Sequence, residues 1–123
     1  MIEIKNVSKT YNGNIKAIDN LSLKINDGEI VGFIGLNGAG KTTAIKMMTG
    51  ILIPDSGSIK INGYDIVKDS LKAKQIIGYI ADNPDMFLKL TGIEFINFIA
   101  DIYRVPKDER VKRIKLFSER FGL

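Results

Sequence analysis

Apolar and polar residues alternate through the first 25 positions of the chain. The alternating apolar positions are Ile2, Ile4, Val7, Leu21, Leu23 and Ile25. A period of two is that of a strand with one buried face. The pattern therefore predicts a first strand from Ile2, a turn at Asn12-Gly13-Asn14, and a second strand within residues 17–25.

Two later segments are apolar without interruption. Residues 30–34 have the sequence IVGFI, and residues 76–80 have the sequence IIGYI. Strands of a parallel sheet are buried on both faces and show this continuous pattern. The two kinds of strand together predict an α/β fold, in which an antiparallel sheet with one wet face lies beside a parallel core.

Capping and turn residues predict the elements between the two continuous runs. Residues 44–49 predict a helix that ends at Gly50. The pair Asn62-Gly63 predicts a hairpin that ends near Ile66, and residues 68–74 predict a short polar helix. One helix therefore follows the first continuous run closely, and a hairpin follows that helix.

The last third of the chain predicts two further helices. Thr91 and Glu94 have the T-x-x-E spacing of a capping box, which predicts a helix through about Tyr103. Pro106 predicts the start of another helix, and Gly122 its end. This helix has a basic face, which is either a solvated surface or a patch for lipid or nucleic acid. The solvated surface is the more usual case for an amphipathic helix.

Composition excludes several kinds of chemistry. The chain contains no cysteine and no histidine, so it has no disulfide, no thiolate nucleophile, no cysteine zinc site and no histidine base. The formal net charge of +4 is mild and does not imply nucleic-acid binding. No apolar run approaches the roughly 20 residues of a membrane span, and the first residues lack a signal-peptide pattern. We therefore expect a cytoplasmic protein.

A phosphate-binding motif, G-x-x-x-x-G-K-[ST], lies between the first continuous run and the helix predicted after it. Its candidate binding residues are Gly35, Asn37, Gly38, Ala39, Gly40, Lys41, Thr42 and Thr43. Glycines let the loop curl its N–H groups around a phosphate, and the following helix directs its positive end toward the same anion. Lys41 is suited to the β- and γ-phosphates, and the Thr42 hydroxyl to Mg²⁺. The alternative, a glycine-rich turn with a chance lysine, is disfavoured by the flanking strand and helix.

With these elements in order, the chain resembles the ATP-binding cassette (ABC) ATPases. The resemblance rests on GLNGAGKTT at residues 35–43 and on the block L-x-P-D-S-G-x-I-x-I-N-G at residues 52–63. It implies a P-loop NTPase fold of the ABC type. Residues 1–80 would form the antiparallel β-subdomain and part of the RecA-like parallel core, residues 81–90 the glutamine-loop region, and residues 91–123 the start of the helical subdomain.

The resemblance also implies roles for two residues outside the loop. Tyr11 would stack on the adenine of ATP, although an ordinary strand-end tyrosine is the alternative. Asp82 stands where the family has a glutamine that contacts the metal and the nucleotide. Aspartate can hold hydrated Mg²⁺ through its oxygens, and a plain loop carboxylate is the other possibility.

Several family motifs have no match in these 123 residues. They are the signature sequence, the Walker B Asp-Glu pair, the D-loop and the switch histidine, so no catalytic residue is assigned. We expect an N-terminal portion that binds ATP without hydrolysing it. The resemblance implies that the complete protein couples ATP hydrolysis to transport. Its partners would be a membrane permease at the inner face of the membrane and a second ATPase subunit in a head-to-tail dimer, with no nucleic acid.

Two other functions stay open at this point. One is a different phosphate-loop enzyme such as a small kinase, and the other is a non-catalytic interaction module on the same fold. A further expectation concerns the edge at residues 30–34. In the family's sheet the Walker B strand lies beside this segment, so without that neighbour we expect the chain to associate with a second copy or to be partly molten.

Overall fold

The computed structural model describes residues 1–81 and 89–122 of the chain. These residues belong to two compact units, Met1–Tyr79 and Ile80–Leu123.

A four-stranded antiparallel sheet forms the first unit together with two helices. Its strands are β1 (Ile2–Tyr11), β2 (Ile15–Ile25), β3 (Ser56–Ile61) and β4 (Tyr64–Asp65), in the spatial order β2-β1-β3-β4. The two alternating strands and the hairpin are thus confirmed. Asn62 and Gly63 both have positive φ, at 47° and 85°, as a two-residue hairpin turn requires.

Helix α1 (Lys41–Met48) and the shorter helix α2 (Ser70–Gln75) contribute to the core of this unit. Val7 of β1, Met47 of α1 and Ile59 of β3 are its largest fully buried side chains. Helix α1 ends as predicted, because Gly50 has φ 68° and donates its N–H to the Met47 carbonyl oxygen at 3.1 Å.

The two continuous apolar runs are not strands in the structure, and this prediction is wrong. Residues 30–34 and 76–80 are absent from the sheet, and Ile30, Ile34 and Ile80 are almost fully exposed. A strand needs at least one hydrogen-bonded neighbour, and no described strand pairs with either run. The N–H groups of Ile76 and Ile77 instead donate to Ala73 and Lys74 at the end of α2.

The second unit contains helices α3 (Gly92–Ile102) and α4 (Lys107–Phe121). Both halves of the predicted capping box form, since Thr91 N–H donates to the Glu94 carboxylate at 2.8 Å and Glu94 N–H donates to Thr91 Oγ1 at 3.4 Å. Helix α4 begins after Pro106 and ends at Gly122, which has φ 68°. The predicted helices are confirmed.

Arg110 ties the two helices of this unit together. Its guanidinium donates to Asp101 at 2.6 Å, to the Asn97 side chain at 3.0 Å and to the Val105 carbonyl oxygen at 3.1 Å.

In the part of the chain that the structure describes, no helix is both long and apolar enough to cross a membrane.

Candidate nucleotide-binding site

The loop at residues 35–40 has the curled shape that its glycines allow. Gly38 and Gly40 have φ values of 84° and 82°, in the left-handed region where a side chain is strained. The Ala39 N–H donates to the Leu36 carbonyl oxygen at 3.1 Å and closes a turn. Helix α1 begins directly after Gly40, so the loop opens onto the positive end of a helix.

Gly40 joins the loop to the antiparallel sheet. A Cβ atom placed on Gly40 would lie 2.4 Å from the Ala17 carbonyl oxygen and 2.8 Å from Ile18 Cδ1 of β2. Real Cβ atoms do not approach other atoms this closely, so only glycine fits against the strand. The motif includes this glycine for the shape of the loop, but nothing in the motif indicates that β2 lies against it.

Lys41 lies across the loop. Its ammonium group donates to the carbonyl oxygens of Gly35 at 2.5 Å and Leu36 at 2.8 Å. A lysine ammonium has three N–H donors, so one donor is left for an anion held in the loop. The side chain is thereby held at the site before any ligand arrives, which reduces the ordering that binding requires.

The first turn of α1 has the features of an anion site. It contains no acidic residue that would neutralise the helix dipole. The first N–H groups of a helix have no intrahelical acceptor, and those of Thr42 and Thr43 belong to this set. Thr42 is exposed while Thr43 is half-buried, so the Thr42 hydroxyl is the accessible one.

Tyr11 lies at the end of β1, with its side chain 38% exposed. Its ladder partner is Ile15 of β2, and two residues further along β2 is Ala17, which contacts Gly40. The sheet therefore brings Tyr11 and the phosphate loop to the same end of β2. Asp82, the other predicted residue outside the loop, lies outside the described residues.

The described residues include no group of three or more Asp, Glu, His or Cys side chains that could together hold a metal ion. The Thr42 hydroxyl is a single oxygen of the type that Mg²⁺ accepts, and phosphate oxygens commonly supply other ligands of this ion. Among the described residues, the loop would thus offer Mg²⁺ the Thr42 hydroxyl, and a bound phosphate would have to supply further oxygens.

Asp55 is a residue near the site to which sequence reasoning assigned no role. It precedes β3, and its carboxylate accepts hydrogen bonds from the Thr10 N–H at 2.8 Å and from the Lys9 ammonium at 2.5 Å. These bonds, that from Lys9 first and that from Thr10 next, hold the pKa of the Asp55 carboxyl below its usual value. The only sequence signal was the block at residues 52–63, which contains Asp55 but does not indicate its partner.

Comparison with known proteins gives the family. The sequence model of the family described as ABC transporter matches residues 18–123. The chain belongs to the ABC transporter ATP-binding proteins. The resemblance seen in the sequence is thereby confirmed, and the fold class is a P-loop NTPase of the ABC type.

Three similar proteins illustrate this membership. The methionine import ATP-binding protein MetN of Geobacillus kaustophilus (strain HTA426) is 40% identical over 130 residues, which cover 100% of this chain and 38% of the relative. A solved ATP-binding subunit of an ABC transporter superimposes with a TM-score of 0.89 at 31% identity, over 100% of this chain and 51% of that one. A dimeric ATP-binding cassette in a post-hydrolysis state, bound to ADP and Pi, gives a TM-score of 0.79 at 28% identity, over 92% of this chain and 53% of that one.

This ABC chain therefore spans between about two fifths and one half of the length of these relatives. The matched part contains the phosphate loop, the antiparallel sheet and helices α3 and α4.

Proposed function

We propose that this chain is the nucleotide-binding portion of an ABC transporter ATPase and that its phosphate loop binds Mg-ATP. The observation that carries the proposal is the placement of Lys41, whose ammonium group lies against the Gly35 and Leu36 carbonyl oxygens at the start of a helix. A cation, curled backbone and a helix N-terminus at one place form a site for phosphate.

Each site residue has a distinct role in this proposal. Lys41 contacts the β- and γ-phosphates, and Thr42 contributes its hydroxyl to Mg²⁺. The backbone N–H groups of the loop residues that follow Leu36 surround the phosphates; these residues are Asn37, Gly38, Ala39 and Gly40, together with Thr43 of α1. Tyr11 stacks on adenine, and Asp82 reaches the hydrated metal. The solved cassette bound to ADP and Pi supports the part of this proposal that concerns nucleotide binding.

The complete protein, in the same proposal, hydrolyses ATP and drives a membrane permease. It works as a head-to-tail pair of ATPase subunits on the inner face of the membrane, held there by the permease. The support is the family membership and the dimeric form of one solved relative.

Isothermal titration with Mg-ATP tests the binding site. Wild-type chain should bind weakly but measurably, and Lys41→Ala should abolish binding, because no other ammonium group lies in the loop. Lys46→Ala is the matched control, since Lys46 is an exposed lysine of the same helix and lies outside the loop. Equal affinity in wild type and Lys41→Ala would show that the loop is not the site.

Steady-state ATP hydrolysis by this chain should equal the background rate. No carboxylate in its sequence matches the Walker B pair, so nothing in it is assigned to polarise the attacking water. A turnover that co-purifies with the chain and disappears in Lys41→Ala would contradict this part of the proposal.

A further inference from the structure

Asp55 holds the end of the strand that carries Tyr11. We propose that Asp55 is a positioning residue for nucleotide binding, which fixes Tyr11 where its ring can stack on the base. The proposal rests on the role given to Tyr11 above and adds a residue that contacts neither the base nor the phosphates.

Three hydrogen bonds connect Asp55 to the three residues that precede Tyr11. The Asp55 N–H donates to the Ser8 carbonyl oxygen at 3.0 Å. Its carboxylate accepts from the Lys9 ammonium at 2.5 Å and from the Thr10 N–H at 2.8 Å. Asp55 therefore contacts every residue of β1 from Ser8 to Thr10.

The end of β1 needs this support because its ladder with β3 stops early. The last pair between β1 and β3 is Ser8 with Ser56, whereas β1 continues to Tyr11. The ladder with β2 persists there, but its register shifts between Val7 and Lys9 and again between Lys9 and Thr10. Beyond the last β1–β3 pair, the Thr10 N–H donates to the Asp55 carboxylate. The side chain thus supplies the acceptor that a further residue of β3 would otherwise provide.

The contact with Thr10 is the one that matters for position. The ion pair with Lys9, whose side chain is 16% exposed against 46% for Asp55, joins two side chains and does not itself restrict the backbone beside Tyr11. A hydrogen bond to the backbone N–H directly before Tyr11 instead restricts the backbone from which the tyrosine ring projects. The orientation of the ring thus depends on a residue that lies 45 positions away from Thr10 in sequence.

Two probes separate the base from the phosphates in the test: Mg-ATP and magnesium tripolyphosphate, which carries three phosphates and no base. Asp55→Ala should weaken Mg-ATP binding about tenfold or less, because it removes part of the benefit of base stacking. It should leave tripolyphosphate affinity unchanged, and Tyr11→Ala should show the same split. In the double variant the Asp55 change should add nothing to the Tyr11 effect, since both act through one ring.

Two further variants isolate the backbone contact. Asp55→Asn keeps an oxygen acceptor for the Thr10 N–H and should retain most of the Mg-ATP affinity. Asp19→Ala is the matched control, because Asp19 forms an exposed ion pair with Lys16 at 2.7 Å on the neighbouring strand; it should change neither affinity. Thermal melts show the temperature range in which each variant is folded, and all affinities are compared at a temperature at which Asp55→Ala is folded.

The outcomes distinguish this inference from the proposed function. If Tyr11→Ala weakens Mg-ATP binding and Asp55→Ala does not, the inference is wrong and the proposed function stands. Equal losses for Mg-ATP and tripolyphosphate would overturn it as well, because Asp55 would then act on the whole loop or fold. An Asp55→Asn variant that binds Mg-ATP as weakly as Asp55→Ala would also overturn it. Absence of Mg-ATP binding by the wild type would overturn both.

Discussion

Ile59 and Ile34 are the same residue type in opposite surroundings. Ile59 of β3 is 1% exposed, in the core of the antiparallel sheet. Ile34, at the end of the first continuous apolar run, is 98% exposed. The sheet and its helices enclose a hydrophobic core, whereas the segment at residues 30–34 lies at its margin. Phe33 packs partly buried against the core, and Ile30 and Ile34 are almost fully exposed.

The difference shows which elements can form from contacts nearby in sequence. Strands β1 and β2 are joined by a short turn, and so are β3 and β4, so each has a neighbour close at hand. A parallel strand obtains its neighbours only through crossover connections of a dozen or more residues. The continuous runs depend on such distant neighbours, and the described residues supply none.

The largest expected difference between the two regions is the loss of unfolding free energy when each isoleucine is replaced by alanine. Ile59→Ala should lower the free energy of unfolding by about 2–5 kcal/mol, because it leaves a cavity in the core. Ile34→Ala removes the same atoms from an exposed position and should change it by less than about 0.5 kcal/mol. Urea unfolding measures both. A large loss in Ile34→Ala would show that this segment is packed in solution.

Gly40 lies where the phosphate loop contacts strand β2, so a substitution there should affect both the loop and the sheet. Gly40→Ala places a Cβ 2.4 Å from the Ala17 carbonyl oxygen and should shift the loop, with losses of about 1–3 kcal/mol in stability and weaker Mg-ATP binding. Gly38→Ala is the control: its φ is also positive, but no atom lies within 4 Å of the added Cβ. Equal effects of the two substitutions would show that the contact with β2 does not support the loop.

The capping box of α3 joins Thr91 and Glu94 within one helical turn, so it should form without contacts from other elements. Thr91→Ala should destabilise α3 by about 1 kcal/mol, because the Glu94 N–H loses its acceptor. Hydrogen exchange of the first α3 amides measures this effect. Unchanged protection in Thr91→Ala would show that the cap does not stabilise the helix in solution.

Lowering the pH should reduce the stability of the sheet through Asp55 and should have no direct effect on residues 30–34. This is the smallest effect expected. Hydrogen bonds from Lys9 and Thr10 lower the pKa of Asp55, so the stability it contributes is present above its unfolded pKa of about 3.9 and is lost as the pH falls through the folded value. Residues 30–34 contain no titratable side chain. Unfolding at pH 7, 5 and 3 should show a smaller acid loss in Asp55→Asn than in wild type. Identical pH dependence would contradict this assignment.

Local signals were sufficient to predict much of the fold and the loop. Alternation predicted β1 and β2, Asn62-Gly63 predicted the hairpin, and Thr91 with Glu94 predicted the start of α3. The phosphate motif indicated a curled loop at residues 35–40, and Gly38 and Gly40 have the positive φ values that such a loop uses. The role of each loop residue stays a prediction.

Contacts between distant positions were not predictable in the same way. Nothing in a single sequence connects Gly40 to Ala17 or Asp55 to Thr10, since both depend on how β2 and β3 lie beside β1. The strand prediction at residues 30–34 failed for a related reason. The apolar run indicated a preference for burial, but the neighbours that would bury it are not specified by the run itself.

Hydrogen exchange combined with sedimentation velocity tests the contrast between the buried core of the sheet and the apolar run at residues 30–34. At low concentration the amides of residues 31–34 should exchange rapidly, while those of Ile4 and Val7 in β1 should exchange slowly. At higher concentration the chain should associate, because exposed apolar side chains such as Ile30 and Ile34 favour contact between chains. A sharp monomer peak at all concentrations, together with slow exchange at residues 31–34, would contradict this contrast.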